Sequence, residues 1–276
     1  MRSAVSERDR YQHGVPCWVD TWQPDLEAAV AFYTGLFGWE AHETSPPGAE
    51  RRHFMCELRG RRVAGIGSPP PIPGHTPVWG TYVWVADVED TVEQTREAGG
   101  NVILEPFDAL DGGRLALLAD STGGVIAAWQ VGENRGAQIV NEPSAWSMSS
   151  LHSSDLDAAK PFYSSVFGWE YMAFDAGPGQ EVTLALVPGY VGGTPSQPVP
   201  RSNVAVLSDM AGLPPDTPTH WGVDFWIADL DAAMTYTTEN AGQVIAGPID
   251  HPPFRSAVIA DPQGAVLTLS QLVAGS

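Results

Sequence analysis

Hydrophobic and polar positions follow one order along the first part of the chain: a strand, a helix and three further strands. Residues 15–22 are rich in Val, Thr and aromatic side chains, which is typical of a strand. Pro24 and the acids after it suit the first turn of a helix. Apolar residues then recur at helical spacing until Gly38, which suits a left-handed helix end. The remaining predicted elements are strands at 53–58, 62–66 and 81–86, a helix at 88–98, and strands at 101–105, 114–119 and 125–131.

One nine-residue stretch occurs twice. Phe-Tyr-Thr-Gly-Leu-Phe-Gly-Trp-Glu at 32–40 returns as Phe-Tyr-Ser-Ser-Val-Phe-Gly-Trp-Glu at 162–170, and each copy follows an Asp-Leu pair at the same distance. Such a match of aromatic residues indicates a duplicated domain, and we interpret the stretch as a structural signature. The predicted organisation is an N-terminal tail (1–13), a first domain (14–131), a linker (132–144) and a second domain (145–273).

Composition limits the partners of the protein. With 43% hydrophobic and 17% charged residues, the 276-residue chain is expected to fold into domains with their own cores. A formal net charge of −19 argues against binding to nucleic acid or an anionic membrane. No apolar run reaches the roughly 20 residues of a membrane span, and the polar N-terminus does not resemble a signal peptide. We therefore expect a cytoplasmic protein, monomeric or homodimeric, with Cys17 and Cys56 reduced in the core.

A family resemblance follows from the motifs. Asp-Leu, Phe-Tyr, Phe-Gly-Trp-Glu, Trp-Gly, Val-Ala-Asp-Val and Asp-Pro-Gln-Gly-Ala together resemble the vicinal oxygen chelate superfamily of glyoxalase I, bleomycin-resistance proteins and extradiol dioxygenases. More narrowly, the chain is similar to tandem-domain actinobacterial proteins described as hydroxylase-like or glyoxalase-like. The resemblance implies an α+β fold with two tandem domains. Each would contain two βαβββ units whose mostly antiparallel sheet forms a U around a cavity.

The resemblance also implies where a metal would bind. Metal-dependent members carry ligands on the first, fifth and eighth strands of a domain. The residues of this chain at those positions are Trp18, Gly80 and Ala127 in the first half and Met148, Gly222 and Thr268 in the second. None of them offers the carboxylate, imidazole or thiolate that a divalent cation needs. We predict no superfamily metal site in either half and no other cofactor, because dinucleotide, phosphate-loop and nucleophile-elbow motifs are also absent from the sequence.

The strand face that lost the ligands carries the candidate binding residues, because side chains two residues apart share a face. The first half is mainly aromatic there and the second half more polar. The predicted ligand-binding residues are Trp18, Asp20, Trp22, Tyr82, Trp84 and Trp129 in the first half, and Met148, Ser150, Trp226, Thr268 and Ser270 in the second. The tryptophans could instead fill a closed core. An aromatic wall with few polar groups suits a flat, apolar, ring-containing molecule.

Candidate chemistry lies in the second half. Asp224 with His220 or His152 could supply acid–base catalysis near neutral pH, since an Asp can hold a His in one tautomer. His251, Arg255 and Tyr190 are candidates for its rim. The same Asp224, His220 and His152 could also form a displaced metal site. The other four histidines are interpreted as loop or surface residues: His13, His42, His53 and His75.

These features predict a metal-independent protein that binds an apolar aromatic small molecule, such as a polyketide-type natural product, and transforms it. Acid–base assisted hydration, hydroxylation or rearrangement would make it a lyase, isomerase or hydroxylase-like tailoring enzyme of secondary metabolism. The alternatives are a drug-sequestering resistance or carrier protein without catalysis, and a glyoxalase-like or dioxygenase-like enzyme with displaced ligands. The segment 188–219 lacks periodicity and is either a surface loop or a lid.

Overall fold

Four βαβββ repeats make up the computed structural model, which describes residues 7–8, 10–72, 74–109, 112–177, 180–192 and 199–273. The first repeat contains β1 (Pro16–Trp22), α1 (Leu26–Phe37), β2 (Glu40–Glu43), β3 (His53–Leu58) and β4 (Arg61–Gly67). The second contains β5 (Val78–Val85), α2 (Val88–Glu97), β6 (Asn101–Asp108), β7 (Gly113–Ala119) and β8 (Val125–Val131). The third contains β9 (Trp146–His152), α3 (Leu156–Phe167), β10 (Glu170–Gly177), β11 (Gln180–Leu186) and β12 (Asn203–Ser208). The fourth contains β13 (His220–Trp226), α4 (Leu230–Glu239), β14 (Gln243–His251), β15 (Phe254–Ala260) and β16 (Val266–Leu272).

The helices of the duplicated stretches end at the predicted glycine, but Pro24, which was predicted in the first turn of α1, lies before the cap residue Asp25. Asp25 and Asp155 cap α1 and α3 by accepting a hydrogen bond from a backbone N–H of the first turn. Gly38 and Gly168 end the same helices with φ angles of 69° and 70°. A side chain with a Cβ is disfavoured at such angles, so glycine is the residue that suits both positions.

The strands form two eight-stranded mixed sheets, one from each half of the sequence. Their orders are β2-β3-β4-β1-β5-β8-β7-β6 and β10-β11-β12-β9-β13-β16-β15-β14. Within each sheet, the first strand of a repeat pairs in parallel with the last strand of the same repeat, and the outer strands are antiparallel. This arrangement confirms the predicted α+β fold class of tandem βαβββ units.

The segment 188–219 differs from its prediction. Its sequence pattern indicates an aperiodic insertion, but residues 203–208 form β12, which pairs with β11 and β9. Val204, Ala205 and Leu207 are buried there. The strand is recognisable only from its pairing with β11 and β9, which the sequence pattern does not show. The predicted lid falls partly on residues 193–198, which lie outside the described residues.

Packing divides the chain into two compact units, and each takes one repeat from each half. The first unit is Met1–Trp18, Thr81–Gly136 and Met148–Gly222, so it contains most of the second and third repeats. The second unit is Val19–Gly80, Ala137–Ser147 and Val223–Ser276, with most of the first and fourth repeats. The domain boundaries given above, 14–131 and 145–273, stay a prediction.

A buried Tyr–Asp–Trp network joins the two repeats of the second unit. The Tyr33 hydroxyl donates to Asp261 Oδ2 at 2.7 Å, and Trp79 Nε1 donates to the Tyr33 oxygen at 2.9 Å. Gln23 donates to the same carboxylate oxygen at 2.6 Å. The other oxygen accepts two backbone N–H groups of the following turn, at 2.9 Å each.

The first unit contains the same network, built by the other copies of these motifs. Tyr163 donates to Asp120 at 2.7 Å and Trp221 donates to Tyr163 at 2.8 Å. The tyrosine of each duplicated stretch therefore binds an aspartate that comes from the other half of the sequence.

Candidate functional site

A half-buried acidic site lies in the second unit, on β16 and on the last residues of β13. Along β13, the odd-numbered residues are buried and the even-numbered ones, including Asp224 and Trp226, are half-buried. Asp224 accepts hydrogen bonds from Ser270 Oγ at 2.5 Å and Ser147 Oγ at 2.8 Å. Thr268 is the register partner of Asp224 on β16. The structure thus brings together Asp224, Thr268 and Ser270, all of which are predicted site residues.

The surroundings of Asp224 change its acidity. Burial raises the pKa of this carboxyl to about 7, while the hydrogen bonds from Ser270 and Ser147 act in the opposite direction. No cation among the described residues contributes to this pKa. Asp224 is one of the half-buried residues of β13, so desolvation of its carboxyl coexists with partial exposure of the residue.

Apolar side chains lie on the same strand face as this acid. The Trp226 and Phe254 rings lie 5.7 Å apart between centroids. Ile249 and Leu272 are 49% and 53% exposed, and the strand register places them opposite Ser256 and Phe254 respectively. The predicted rim residue His251 contacts Ser256 Oγ through Nε2 at 2.6 Å. Together these residues form an apolar platform with a polar edge.

The other predicted rim residues differ in their surroundings. Arg255 of the second unit pairs with Asp231 at 2.7 Å, so its charge is already engaged. Tyr190 of the first unit is half-buried.

The two predicted catalytic histidines form a separate pair in the first unit. The His152 and His220 rings are stacked, with centroids 5.0 Å apart and planes inclined by 23°. Burial, and then the neighbouring His220, lower the pKa of His152 to about 4. Met148 and Ser150 of the same unit lie on β9, and both are half-buried, as the two histidines are. Asp224 belongs to the second unit, and its hydrogen bonds come from serines, so it does not hold these imidazoles as the sequence suggested.

Most of the predicted aromatic residues of the first half lie in the core. Trp18, Tyr82 and Trp129 are 2–4% exposed, and Tyr82 packs edge-on against Trp129. Trp129 Nε1 donates to the Asn134 carbonyl at 3.0 Å. Trp84 of the same unit and Trp22 of the second unit are only half-buried. A ligand-binding role for these side chains stays a prediction.

The structure adds one pair that the sequence did not suggest. His53 begins β3 as the predicted strand at 53–58 requires, but it is not the loop or surface side chain that was expected, because its Nε2 lies 3.3 Å from Asp20. Its Nδ1 lies 3.1 Å from Thr44 Oγ. Burial opposes protonation of His53, but the Asp20 charge and hydrogen bond outweigh it and raise the pKa of His53. Only the strand register, which sets Gly65 beside both Asp20 and Met55, reveals this arrangement.

We expect Gly65→Ala to break the Asp20–His53 pair, because a Cβ there would overlap both side chains. The free energy of unfolding should fall by about 1–3 kcal/mol, as for other overpacked sites. The pKa of His53 should fall as well, because the carboxylate is displaced. Urea unfolding and an NMR titration of His53 measure these effects.

Gly222→Ala is the matched control, since a Cβ at Gly222 meets its nearest atom at 3.6 Å. Equal stability of the two variants would contradict this account of Gly65.

Fold and sequence comparison together define the class of protein. Residues 18–145 match the family described as Glyoxalase/Bleomycin resistance protein/Dioxygenase superfamily. The chain belongs to this superfamily, which confirms the resemblance to vicinal oxygen chelate proteins. CFP32 of Mycobacterium tuberculosis, provisionally named a glyoxylase, is 35% identical over 269 residues, which are 96% of this chain and 97% of CFP32.

One further relative and one solved structure are similar to this chain over nearly its whole length. The anthracycline biosynthesis protein DnrV of Streptomyces peucetius is 31% identical over 279 residues, with 96% of each chain covered. The solved 2,3-dioxygenase LapB from Pseudomonas sp. KL28 superposes with a TM-score of 0.60 at 14% identity, over 99% of this chain and 94% of LapB. At that identity the likeness to LapB shows the fold alone.

The residues present do not fit the superfamily's metal. Its ligand positions hold Trp18, Gly80 and Ala127 in the first half and Met148, Gly222 and Thr268 in the second. In the part of the chain that the structure describes, no three His, Cys, Asp or Glu side chains cluster in a way that could hold an ion. The displaced set of His152, His220 and Asp224, all of them described residues, does not form such a cluster either. Among the described residues, no helix has the length and apolar character needed to cross a membrane.

Proposed function

We propose that this protein binds a small, apolar, aromatic molecule and transforms it by acid–base chemistry at Asp224. One observation carries the proposal: a desolvated but reachable carboxyl is held by Ser147 and Ser270 beside the Trp226–Phe254 pair. A carboxyl that serves only to stabilise a fold is normally paired with a cation or sealed in the core. Asp224 is neither, among the residues described.

The proposed chemistry follows from the acidity of Asp224. With a pKa of about 7, the group is present in both protonation states at neutral pH, which is the optimum for proton transfer at that pH. Ser147 and Ser270 each donate to one of its two oxygens and so fix the orientation of the carboxyl. We assign Asp224 the role of general base. Two of the reactions anticipated from the sequence can use such a base: in hydration it takes a proton from the water whose oxygen adds to the substrate, and in rearrangement it takes a proton that is returned at another atom.

The ligand class rests on the platform beside the acid. Trp226 and Phe254 offer ring faces, and Ile249 and Leu272 extend the apolar surface outward. The net charge of −19 disfavours polyanionic ligands. DnrV, by its name, acts in anthracycline biosynthesis, and anthracyclines contain fused aromatic rings. A hydroxylated aromatic polyketide is therefore the ligand that we propose.

Sequestration without catalysis is the second candidate function, because the same platform could bind a ligand and release it chemically unchanged. The two functions differ in the fate of the ligand. We expect incubation with hydroxylated anthraquinones to yield a product detectable by mass spectrometry. We expect kcat/KM to rise with pH and to level off above about 7, where the Asp224 carboxylate predominates.

Two results would count against acid–base catalysis. Recovery of bound but unaltered ligand would favour sequestration, and a product formed with a flat pH profile would remove Asp224 from the mechanism. Asp157→Asn is the matched control, since this carboxylate is 98% exposed on α3 and should leave both readouts unchanged.

A further inference from the structure

The paired histidines of the first unit are not used by the chemistry at Asp224. Both side chains are half-buried, so both are reachable, and their rings face each other with centroids 5.0 Å apart. Two stacked imidazoles in a half-buried position need polar partners, because a buried ring nitrogen without one loses its hydrogen bond to water. Their existing hydrogen bonds show which nitrogens are already satisfied.

His220 has a defined tautomer. Its Nδ1 lies 2.9 Å from the Pro218 carbonyl oxygen, which can only accept a hydrogen bond. The proton of the neutral ring is therefore on Nδ1, and Nε2 carries a lone pair. Nε2 of His220 has no hydrogen-bond partner among the described residues. It is an acceptor that suits a ligand with an O–H or N–H group.

His152 presents its Nε2 in a similar way. Its Nδ1 lies 3.0 Å from Ser208 Oγ, and Nε2 has no partner among the residues described. A hydroxyl can donate or accept, so Ser208 permits either tautomer of His152. A ligand hydroxyl, which also does both, satisfies Nε2 in either case.

Gly222 keeps the space beside His152 open. It lies two residues after His220 on β13, hence on the same face of the strand. A Cβ built on Gly222 would have His152 Nε2 as its nearest neighbour, at 3.6 Å. Glycine at a position where the superfamily places a metal ligand thus leaves room next to an imidazole nitrogen.

From this geometry we propose a second ligand site, which takes an aromatic ring with two hydroxyl groups in a 1,3 relation. One hydroxyl donates to His220 Nε2 and the other pairs with His152 Nε2. In a 1,3-diol the two oxygens are about as far apart as the centroids of the stacked histidine rings. In a 1,2-diol the two oxygens lie closer together. This site goes beyond the function proposed for Asp224 and does not depend on it.

Binding of matched naphthalene probes tests the site. The probes are 1,3-dihydroxynaphthalene, its 2,3 isomer and 1,3-dimethoxynaphthalene, titrated by calorimetry. We expect the 1,3-diol to bind more tightly than its dimethyl ether, by about fivefold for each hydroxyl that the ether replaces with a methoxy group. This is the usual contribution of a neutral hydrogen bond. The 2,3 isomer should bind more weakly than the 1,3-diol. His220→Phe and His152→Phe keep a ring in place and should abolish the preference, whereas His42→Phe, a change at an exposed histidine, should not.

An NMR readout in the unaltered protein removes any dependence on the folding of the variants. The Nε2 resonance of His220, assigned by its loss in His220→Phe, should shift when the 1,3-diol is added and stay in place with the dimethyl ether. No detectable binding of the diol, an unmoved Nε2 resonance, or a preference retained in both histidine variants would overturn the proposal. So would a preference lost in Asp224→Asn alone, because the probe would then occupy the acidic site. None of these results depends on turnover, so a failure of the proposed catalysis is seen separately.

Discussion

Replacing Asp261 with alanine is expected to lower the free energy of unfolding by about 3–5 kcal/mol, one of the largest effects of a single substitution in this chain. The Asp261 carboxylate accepts hydrogen bonds from Tyr33, Gln23 and two backbone N–H groups, and it is 4% exposed. Alanine would leave these buried donors without an acceptor and a cavity in place of the carboxyl. Urea unfolding followed by tryptophan fluorescence measures the effect.

The duplication supplies its own control for this prediction. Asp120 occupies the equivalent place in the first unit, where it binds Tyr163, so Asp120→Ala should destabilise the protein by a similar amount. Asp157→Ala, at a 98% exposed side chain, should leave the midpoint unchanged. A loss below about 1 kcal/mol for both buried variants would show that the two networks do not hold their repeats together.

Asp224→Asn is expected to make the protein more stable at pH 8 and much less active. Burial raises the pKa of Asp224 from 3.8 to about 7, so the folded state binds this proton more tightly than the unfolded state. The resulting stability is complete below about pH 4 and is lost as the pH rises through about 7. Asparagine never ionises, so the variant should gain up to about 4 kcal/mol at pH 8 and nothing at pH 4. Turnover should fall by about 10²–10⁴, the usual contribution of a general base.

Thermal unfolding at pH 4, 6 and 8, with kcat measured at pH 8, tests both parts. Asp157→Asn provides the control for a change of net charge alone. If Asp224→Asn makes the protein less stable than the wild type at pH 8, the carboxylate itself stabilises the fold. A substitution that raises stability and keeps turnover intact would confine Asp224 to a structural or binding role.

The sequence predicted the fold because its decisive signals are local. Asp25 and Gly38 mark the ends of a helix within one stretch of residues, and the second copy at Asp155 and Gly168 repeats them. The motifs that surround these helices were sufficient to identify the superfamily. By contrast, the sequence pattern does not predict β12, because its six residues show no clear alternation of hydrophobic and polar side chains. The strand is identified only by its pairing with β9 and β11.

The candidate site was only partly predictable, because periodicity assigns a residue to a strand face and leaves its partner open. The pattern put Asp224 and Ser270 on one strand face, and a hydrogen bond joins them in the structure. It could not show that the partners of Asp224 are Ser147 and Ser270 and not His152 or His220. The Asp20–His53 pair is a clearer case. It depends on the register of three strands, and no spacing along the chain contains that information.

The exchange of repeats between the two halves has a consequence for the covalent chain. Each unit joins a tyrosine from one half to an aspartate from the other, so neither half alone contains a complete core network. If the peptide were divided between residues 136 and 137, both units would become associations of two polypeptides, and their stability would depend on protein concentration. The continuous peptide thus fixes the effective concentration of each half for the other and makes assembly of both units a first-order process.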